Sequence, residues 1–264
     1  MKRYIPFVKS DPFVAVIRLQ GAISNSTRGL DNPSLAPVIE KAIARGKPAA
    51  VALEINSPGG SPVQSSLIAS RIRRLADEKK IPVFAFVEDV AASGGYWLAS
   101  AADEIFVDKA SIVGSIGVIS AGFGLQDAIG KIGVERRVHT AGKSKSMLDP
   151  FKPQSPADVK KLKGWLEDLH DTFIAQVKER RGTKLADNSD LFTGEVFIGQ
   201  KGIDVGLADG IGHLAPVMKE RFGDKVGFRR YDQKRPLLSR FGAQIVDDAV
   251  AGIEERAAYA RFGL

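Results

Sequence analysis

The chain has 264 residues and a formal net charge of +7, with 44% hydrophobic and 26% charged residues, which excludes a fibrous or disordered protein. It contains no cysteine, which excludes disulfides, thiolate nucleophiles and iron–sulfur clusters. Its three histidines are scattered, so we expect no metal site and no cofactor. There is no signal-peptide core at the start and no apolar run of membrane-spanning length, so neither export nor membrane insertion is expected.

Strands and helices are predicted to alternate through the first half of the chain. Apolar and β-branched runs predict buried strands at 13–19, 49–55, 82–87 and 104–107. Helical spacing of apolar residues predicts a helix after each of the first three strands. Ser34 is expected to cap the first helix, and Leu67 and Leu75 are expected to be buried by the second. This alternation indicates an α/β fold with a mostly parallel sheet.

The second half is predicted to be more helical. A long helix is expected at 156–181, with an apolar face that includes Trp165 and Leu169. A C-terminal helical pattern has an apolar stripe formed by Ile245, Val246, Val250, Ile253 and Ala257. The predicted sheet offers this stripe no place, so a contact between subunits is expected. We predict one domain over 1–264, with a catalytic core at about 13–215 and a helical extension at about 216–264.

A serine lies where the third predicted strand meets its helix. Ser93 is surrounded by alanine and glycine at 91–95, which leaves room for a substrate. Amides at a helix start stabilise a nearby anionic oxygen, so this position suits a nucleophile. The Gly-x-Ser-x-Gly pattern of α/β-hydrolases is missing because Ala91 precedes Ser93 by two residues. A helix cap or a close-packing device is the alternative interpretation of this serine.

A glycine-rich turn at 56–60 follows the second predicted strand. The carboxyl ends of parallel strands share one edge of a sheet, so this turn and Ser93 are expected to be close together. The amides of Gly60 and Gly94 could then form an oxyanion hole, which contributes about 3–4 kcal/mol per donor. A simple tight turn is the alternative.

Seven motifs, taken in their order and spacing over 13–215, resemble the signal peptide peptidase A family of Ser-Lys peptidases, in the ClpP/crotonase superfamily. The motifs are Asn-Ser-Pro-Gly-Gly at 56–60, Ala-Ala-Ser-Gly-Gly-Tyr at 91–96, Ala-Asp-Glu-Ile at 102–105, Gly-Ser-Ile-Gly-Val-Ile at 114–119, Ala-Gly-Lys-Ser-Lys-Ser at 141–146, Phe-Thr-Gly at 192–194 and Gly-Leu-Ala-Asp at 206–209. The resemblance implies a ClpP/crotonase-like spiral of repeated β-β-α units. It also implies a serine endopeptidase that hydrolyses short hydrophobic or unfolded peptides, such as remnant signal peptides.

The resemblance also implies a role for each site residue. Ser93 is the expected nucleophile, Lys145 the general base and Ser115 the hydroxyl that orients the lysine. The backbone of Gly60 and Gly94 is the expected oxyanion hole.

A lysine accepts a proton only when it is uncharged, so its surroundings must disfavour the charge. Between the two lysines of the 141–146 motif, the family pattern selects Lys145 and leaves Lys143 as a solvated neighbour. No histidine lies in a matching motif, so a Ser-His-Asp triad is the less favoured hypothesis.

Partners and location follow from the resemblance and from charge. The expected partners are peptide substrates and further copies of the chain, in a homo-oligomeric ring between a tetramer and an octamer, with no nucleic acid. Residues 131–163 hold nine Lys/Arg against three Asp/Glu, which could meet an anionic membrane surface or form an ordinary solvated face. We therefore expect a cytoplasmic protein, with peripheral contact at the inner membrane face as a further expectation. In contrast to the longer family members, we expect no membrane anchor and a single catalytic unit.

Three other functions fit parts of the pattern. A crotonase-like acyl-CoA enzyme would share the fold and the oxyanion hole but would need a carboxylate acid/base. A non-catalytic scaffold for peptides or a membrane surface would leave Ser93 without a role. A capsid maturation protease would use the same dyad on another substrate.

Overall fold

The computed structural model describes residues 11–25, 29–233, 252–253 and 255–264. The strands in this part of the chain are β1 (Phe13–Gln20), β2 (Ala50–Ser57), β3 (Val83–Ala92), β4 (Glu104–Val107), β5 (Ile112–Gly114), β6 (Val196–Ile198), β7 (Gly210–Ile211) and β8 (Gly227–Tyr231). The helices are α1 (Asn32–Ala44), α2 (Pro62–Lys79), α3 (Gly94–Ala99), α4 (Gln126–Lys131), α5 (Pro156–Arg181), α6 (Gln200–Asp204) and α7 (Leu214–Phe222). Residues 255–260 are also helical.

The strands form one sheet in the order β6-β5-β3-β2-β1-β8, and β4 pairs with both β3 and β7. All of these pairings are parallel except that between β5 and β6. The predicted α/β class with a mostly parallel sheet is therefore confirmed. Parallel pairing places the carboxyl ends of β2, β3 and β5 on a common edge, which positions the site described below.

The chain divides into two compact units. The first comprises 1–117 and 174–264, and the second comprises 118–173. The first unit contains the sheet with α1, α2 and α3, whereas α4 and most of α5 belong to the second. The single domain predicted over 1–264 stays a prediction.

Buried residues on one face of the sheet form an apolar core with α7. Val14 and Val16 of β1 pack there with Ala52, Phe84 and Met218. Phe86 and Phe106 of neighbouring strands stack at 5.4 Å between ring centroids. Burial of this kind contributes about 25 cal/mol per Å² of apolar surface removed from water.

The first two helices differ in detail from the prediction. Asp31, not Ser34, caps α1, since its carboxylate accepts a hydrogen bond from the Ser34 amide at 2.8 Å. In α2, Leu67 is 45% exposed and Leu75 is only half-buried. The buried face of α2 consists of Ser65, Ile68, Ala69, Ile72 and Ala76. The helix contacts its neighbours α1 and α3.

The long helix α5 has the predicted bounds, but much of its predicted apolar face is not covered. Phe173 and Val177 are buried, whereas Trp165 is 47% exposed and Leu169 is 38% exposed. None of the helices in the described part of the chain has the length and apolar character that crossing a membrane requires.

The C-terminal stripe is only partly described. Ile245, Val246 and Val250 lie outside the described residues, and Ile253 is 68% exposed. Further along, Tyr259 donates a hydrogen bond at 2.6 Å to the backbone carbonyl of Asn56. The last residues of the chain therefore contact the end of β2 in the same chain.

Candidate active site

Ser93 directly follows β3 and precedes the first residue of α3. Its backbone has φ 52° and ψ −123°, a conformation that L-residues adopt at a cost of about 1–3 kcal/mol. Its side chain is partly exposed and makes no capping hydrogen bond to α3. The alternative interpretation of Ser93 as a helix cap is therefore wrong, and the strain is typical of a serine held for chemistry.

The turn at 56–60 packs directly against Ser93, as predicted. A Cβ atom on Gly59 would lie 2.8 Å from the Ser93 Cβ and 2.8 Å from the Gly94 nitrogen. Gly59 has φ +102°, so glycine is required there for both conformation and space. The register of β2 with β3, which pairs Ser57 with Ala91, creates this contact.

The amides of Gly60 and Gly94 lie beside each other. A Cβ atom on Gly94 would be 3.3 Å from the Gly60 nitrogen. The backbone of Ile23 accepts a hydrogen bond from the Ser61 amide and donates one to the Gly59 carbonyl. In this parallel bridge the N–H of the residue between them, Gly60, points away from Ile23. Gly94 opens α3, where N–H groups have no partner within the helix. Among the described residues, no backbone carbonyl accepts a hydrogen bond from either amide.

Ser115 lies beside Ser93 at the end of the neighbouring strand. Ala92 pairs with Gly114 in the parallel register of β3 with β5, so the next residue of each strand is a serine. The Ser93 amide donates to the Gly114 carbonyl at 2.8 Å. Ser115 has φ 52°, the same value as Ser93, and its own amide donates to the Glu195 carbonyl at 2.7 Å. Both hydroxyl-bearing residues are thus held in strained conformations at one edge of the sheet.

The structure does not describe Lys145 together with Ser93, because Lys145 belongs to the second unit. Lys145 lies in a turn closed by a hydrogen bond from its amide to the Gly142 carbonyl at 3.2 Å. Both Lys145 and Lys143 are exposed. A base that must stay uncharged favours a buried lysine, but neither Lys143 nor Lys145 is buried.

The loop that carries Lys145 is stabilised within the second unit by one arginine. Arg136 approaches the Asp149 carboxylate at 3.3 Å and lies 4.6 Å from the centroid of the Phe151 ring. Arg137 pairs with Glu135 at 2.7 Å. Two of the nine basic residues in 131–163 are thus already paired within the loop.

Sequence reasoning missed a buried polar network behind α3. Tyr96 of α3 is fully buried and donates to the Leu207 carbonyl at 2.8 Å. Next to it, Arg181 makes two hydrogen bonds to Asp209, at 2.8 and 3.1 Å, and Lys184 approaches the same carboxylate at 2.7 Å. Burial alone would raise the pKa of Asp209, but the bonds from Arg181 and Lys184 outweigh it and lower the pKa. The motif at 206–209 was the available signal, although its partners are distant in sequence.

The structure thus brings a strained serine and two adjacent backbone amides together at the carboxyl edge of a parallel sheet, an arrangement typical of serine hydrolases. Comparison with known proteins names the family. The sequence model of peptidase family S49 matches residues 76–223. A relative in Synechocystis, whose name describes a protease, is 30% identical over 86% of this chain and 82% of its own length. The chain therefore belongs to peptidase family S49.

Two further relatives are longer proteins that this chain covers only in part. A protein of Brucella melitensis named Na(+)/H(+) antiporter NhaA is 46% identical over 100% of this chain, which covers 39% of that protein. A protein of Enterococcus faecium named signal peptide peptidase SppA is 31% identical over 62% of this chain and 47% of its own length. The chain thus spans about two fifths of the Brucella relative.

Proposed function

We propose that this chain hydrolyses peptide bonds with Ser93 as nucleophile and Lys145 as general base. The uncharged Lys145 amine takes the hydroxyl proton as the Ser93 oxygen attacks the scissile carbonyl. The amides of Gly60 and Gly94 bind the oxyanion that forms. The lysine then passes the proton to the leaving amine, and water hydrolyses the acyl-enzyme. Ser115 orients the lysine by a hydrogen bond.

The conformation of Ser93 is the observation that carries this proposal. Its positive φ places the residue between the turn at 56–60 and the end of β5, with a partly exposed side chain. A serine with only a structural role would not need this strain, since a relaxed conformation could cap α3. The adjacency of the Gly60 and Gly94 amides supports the proposed oxyanion hole.

The exposure of Lys145 sets a condition on the mechanism. A general base must accept a proton, which a lysine does only in its uncharged form. A bound apolar peptide, or a neighbouring protomer in a homo-oligomer, would exclude water from the amine and favour its neutral form. Activity is therefore expected to depend on substrate hydrophobicity and on assembly.

Short hydrophobic or unfolded peptides are the proposed substrates. An extended peptide binds through its main chain beside a strand, and the small residues around Ser93 leave space for it. The Enterococcus relative named signal peptide peptidase supports remnant signal peptides as one such class. We further propose a cytoplasmic location, with the basic face of 131–163 in contact with the inner membrane surface.

The test is hydrolysis of a small apolar peptide ester by the wild type and by Ser93→Ala and Lys145→Ala. A general base contributes about 10²–10⁴ in rate, so Lys145→Ala should lose at least about 100-fold in kcat. Lys143→Ala is the matched control, since this exposed lysine lies two residues away in the same loop. Its kcat should be unchanged.

Two results would count against the proposal. Equal turnover by the wild type and both variants would eliminate the peptidase, and equal losses in Lys143→Ala and Lys145→Ala would remove the assignment of the base. Turnover of acyl-CoA alone would favour the crotonase-like enzyme. Labelling by a serine-directed phosphonate, located by mass spectrometry, should place the adduct on Ser93.

A further inference from the structure

Arginine side chains from two other helices bind the backbone carbonyls at the end of α3. The three residues that follow α3 are buried, so their carbonyls are shielded from water. Arg180, near the end of α5, donates from Nε to the Ser100 carbonyl at 2.9 Å and from Nη2 to the Ala102 carbonyl at 3.2 Å. Arg73 of α2 donates to the Ala101 carbonyl between them at 2.9 Å. Each of these three consecutive carbonyls therefore accepts a hydrogen bond from an arginine.

One carboxylate holds both arginines. Asp103 Oδ1 accepts a hydrogen bond from Arg73 at 3.0 Å and lies 3.5 Å from Arg180 Nη2. Its Oδ2 accepts from the backbone amide of Val83, the first residue of β3, at 2.8 Å. The side chains of both arginines are mostly buried. The two arginines are thus connected to β3, the strand that leads into Ser93.

The strained conformation of Ser93 depends on how α3 is held. A residue stays in a sparsely populated backbone conformation only when the structure around it fixes that conformation. On one side, the Ser93 amide donates to the Gly114 carbonyl at 2.8 Å. On the other side, the Ser93 carbonyl accepts from the Trp97 amide of α3 at 3.0 Å. Because α3 has only six residues and would not be stable alone, it fixes Ser93 only if its own end is fixed.

We propose that Arg73 and Arg180, together the arginine clamp, are positioning residues that keep Ser93 in its reactive conformation by holding the buried end of α3. The inference rests on the proposed function, in which Ser93 is the nucleophile. Without the clamp, the carbonyls of Ser100 and Ala102 would be buried without donors, which is costly. The end of α3 would then open to water, and Ser93 would relax from its positive φ. Arginine suits this role because its planar group donates to two carbonyls at once, whereas lysine donates from a single point.

Hydrolysis of the small apolar peptide ester by Arg180→Ala tests the proposal. Its kcat should fall at least about tenfold with KM within about twofold of the wild-type value, since misplacement by about 1 Å can cost about 100-fold in rate. Each variant is assayed well below its own midpoint of urea unfolding, so that only folded protein is compared. Arg74→Ala is the matched control, because Arg74 is also an arginine of α2 but is exposed and pairs with Glu78. Its kcat should be unchanged.

Chemical rescue separates positioning from a general loss of stability. Arg180→Ala leaves space where the guanidinium group was, so millimolar ethylguanidinium should raise the kcat of this variant at least about threefold. Ethylammonium has the same charge but lacks the planar set of donors, so it should not restore kcat. Neither compound should change the kcat of the wild type or of Arg74→Ala.

Hydrogen exchange measured by mass spectrometry reports on the same contacts without any activity. The amides of Trp97 and Ser100 donate to the carbonyls of Ser93 and Tyr96, at 3.0 and 2.8 Å. In Arg180→Ala, a peptide that covers α3 should exchange at least about tenfold faster, whereas peptides from β1 should be unchanged. If the alanine variant does not fold, Arg180→Lys replaces it in the kinetic and exchange measurements and should lose at least about threefold in kcat.

The results separate this inference from the proposed function. Equal turnover by the wild type and Ser93→Ala refutes the proposed function, and faster exchange of α3 in Arg180→Ala then still supports the arginine clamp. Unchanged exchange of α3 overturns the clamp in every case. With an active wild type, an unchanged kcat in Arg180→Ala or its replacement, or an equal loss in Arg74→Ala, also overturns it. Rescue by ethylammonium as large as that by ethylguanidinium, or no rescue by either, does the same.

Discussion

Replacing Gly59 with alanine should displace the proposed nucleophile Ser93, although Ser93 itself is unchanged. The new Cβ would lie 2.8 Å from the Ser93 Cβ, whereas ordinary contacts begin at 3.4 Å. Ser93 must therefore move by about 0.6 Å, the difference between these two distances. Misplacement by about 1 Å can cost about 100-fold in rate, so kcat should fall by about 10- to 100-fold in Gly59→Ala.

Backbone strain alone must be separated from this displacement. Gly59 has φ +102° and Gly223 has φ +89°, but a Cβ on Gly223 would meet nothing within 4 Å. Both alanine variants should lose about 1–3 kcal/mol of stability in urea unfolding, since both force alanine to a positive φ. Only Gly59→Ala should lose kcat with the peptide ester. An unchanged kcat in Gly59→Ala, or an equal loss in Gly223→Ala, would refute the reasoning.

Three further outcomes are expected. Asp209→Asn should lose about 3–5 kcal/mol in urea unfolding at neutral pH, because Arg181 would keep a buried charge without its partner. The lowered pKa of Asp209 means that its pairing stabilises the fold above about pH 4, so the difference from wild type should shrink as pH falls below that value; a constant difference would contradict it. Asp31→Ala should lower the free energy of unfolding by about 1 kcal/mol, measured by thermal unfolding, and Ser34→Ala should lower it much less. The reverse order would show that Ser34 is the cap of α1. Ser115→Ala should lower kcat about tenfold at unchanged KM, and a change in KM alone would remove its orienting role.

Local sequence patterns correctly predicted the strands and helices that depend only on their own residues. The run at 13–19 became β1 with one added residue, and the bounds of α5 match those predicted. A strand buried on both faces needs only apolar, β-branched residues, and a long helix needs only periodicity, so both signals are local. The glycine turn at 56–60 was also placed correctly beside Ser93, because parallel strands share an edge.

Predictions were wrong where a distant neighbour decides the environment. The strand predicted at 82–87 extends to Ala92, since Val90, Ala91 and Ala92 pair with β5, which lies about 20 residues further along the chain. Leu67 is exposed because α2, which contacts α1 and α3, buries a different face, made of Ser65, Ile68, Ala69, Ile72 and Ala76.

The sequence by itself determined the alternation of strands and helices and the edge at which Ser93 stands, since both depend on periodicity and on the rules of parallel sheets. Only the tertiary structure decided the strain at Ser93 and the pairing of Arg181 with Asp209. These features arise from contacts between residues far apart in the chain. Their energies depend on burial and distance, which no local pattern of residues encodes.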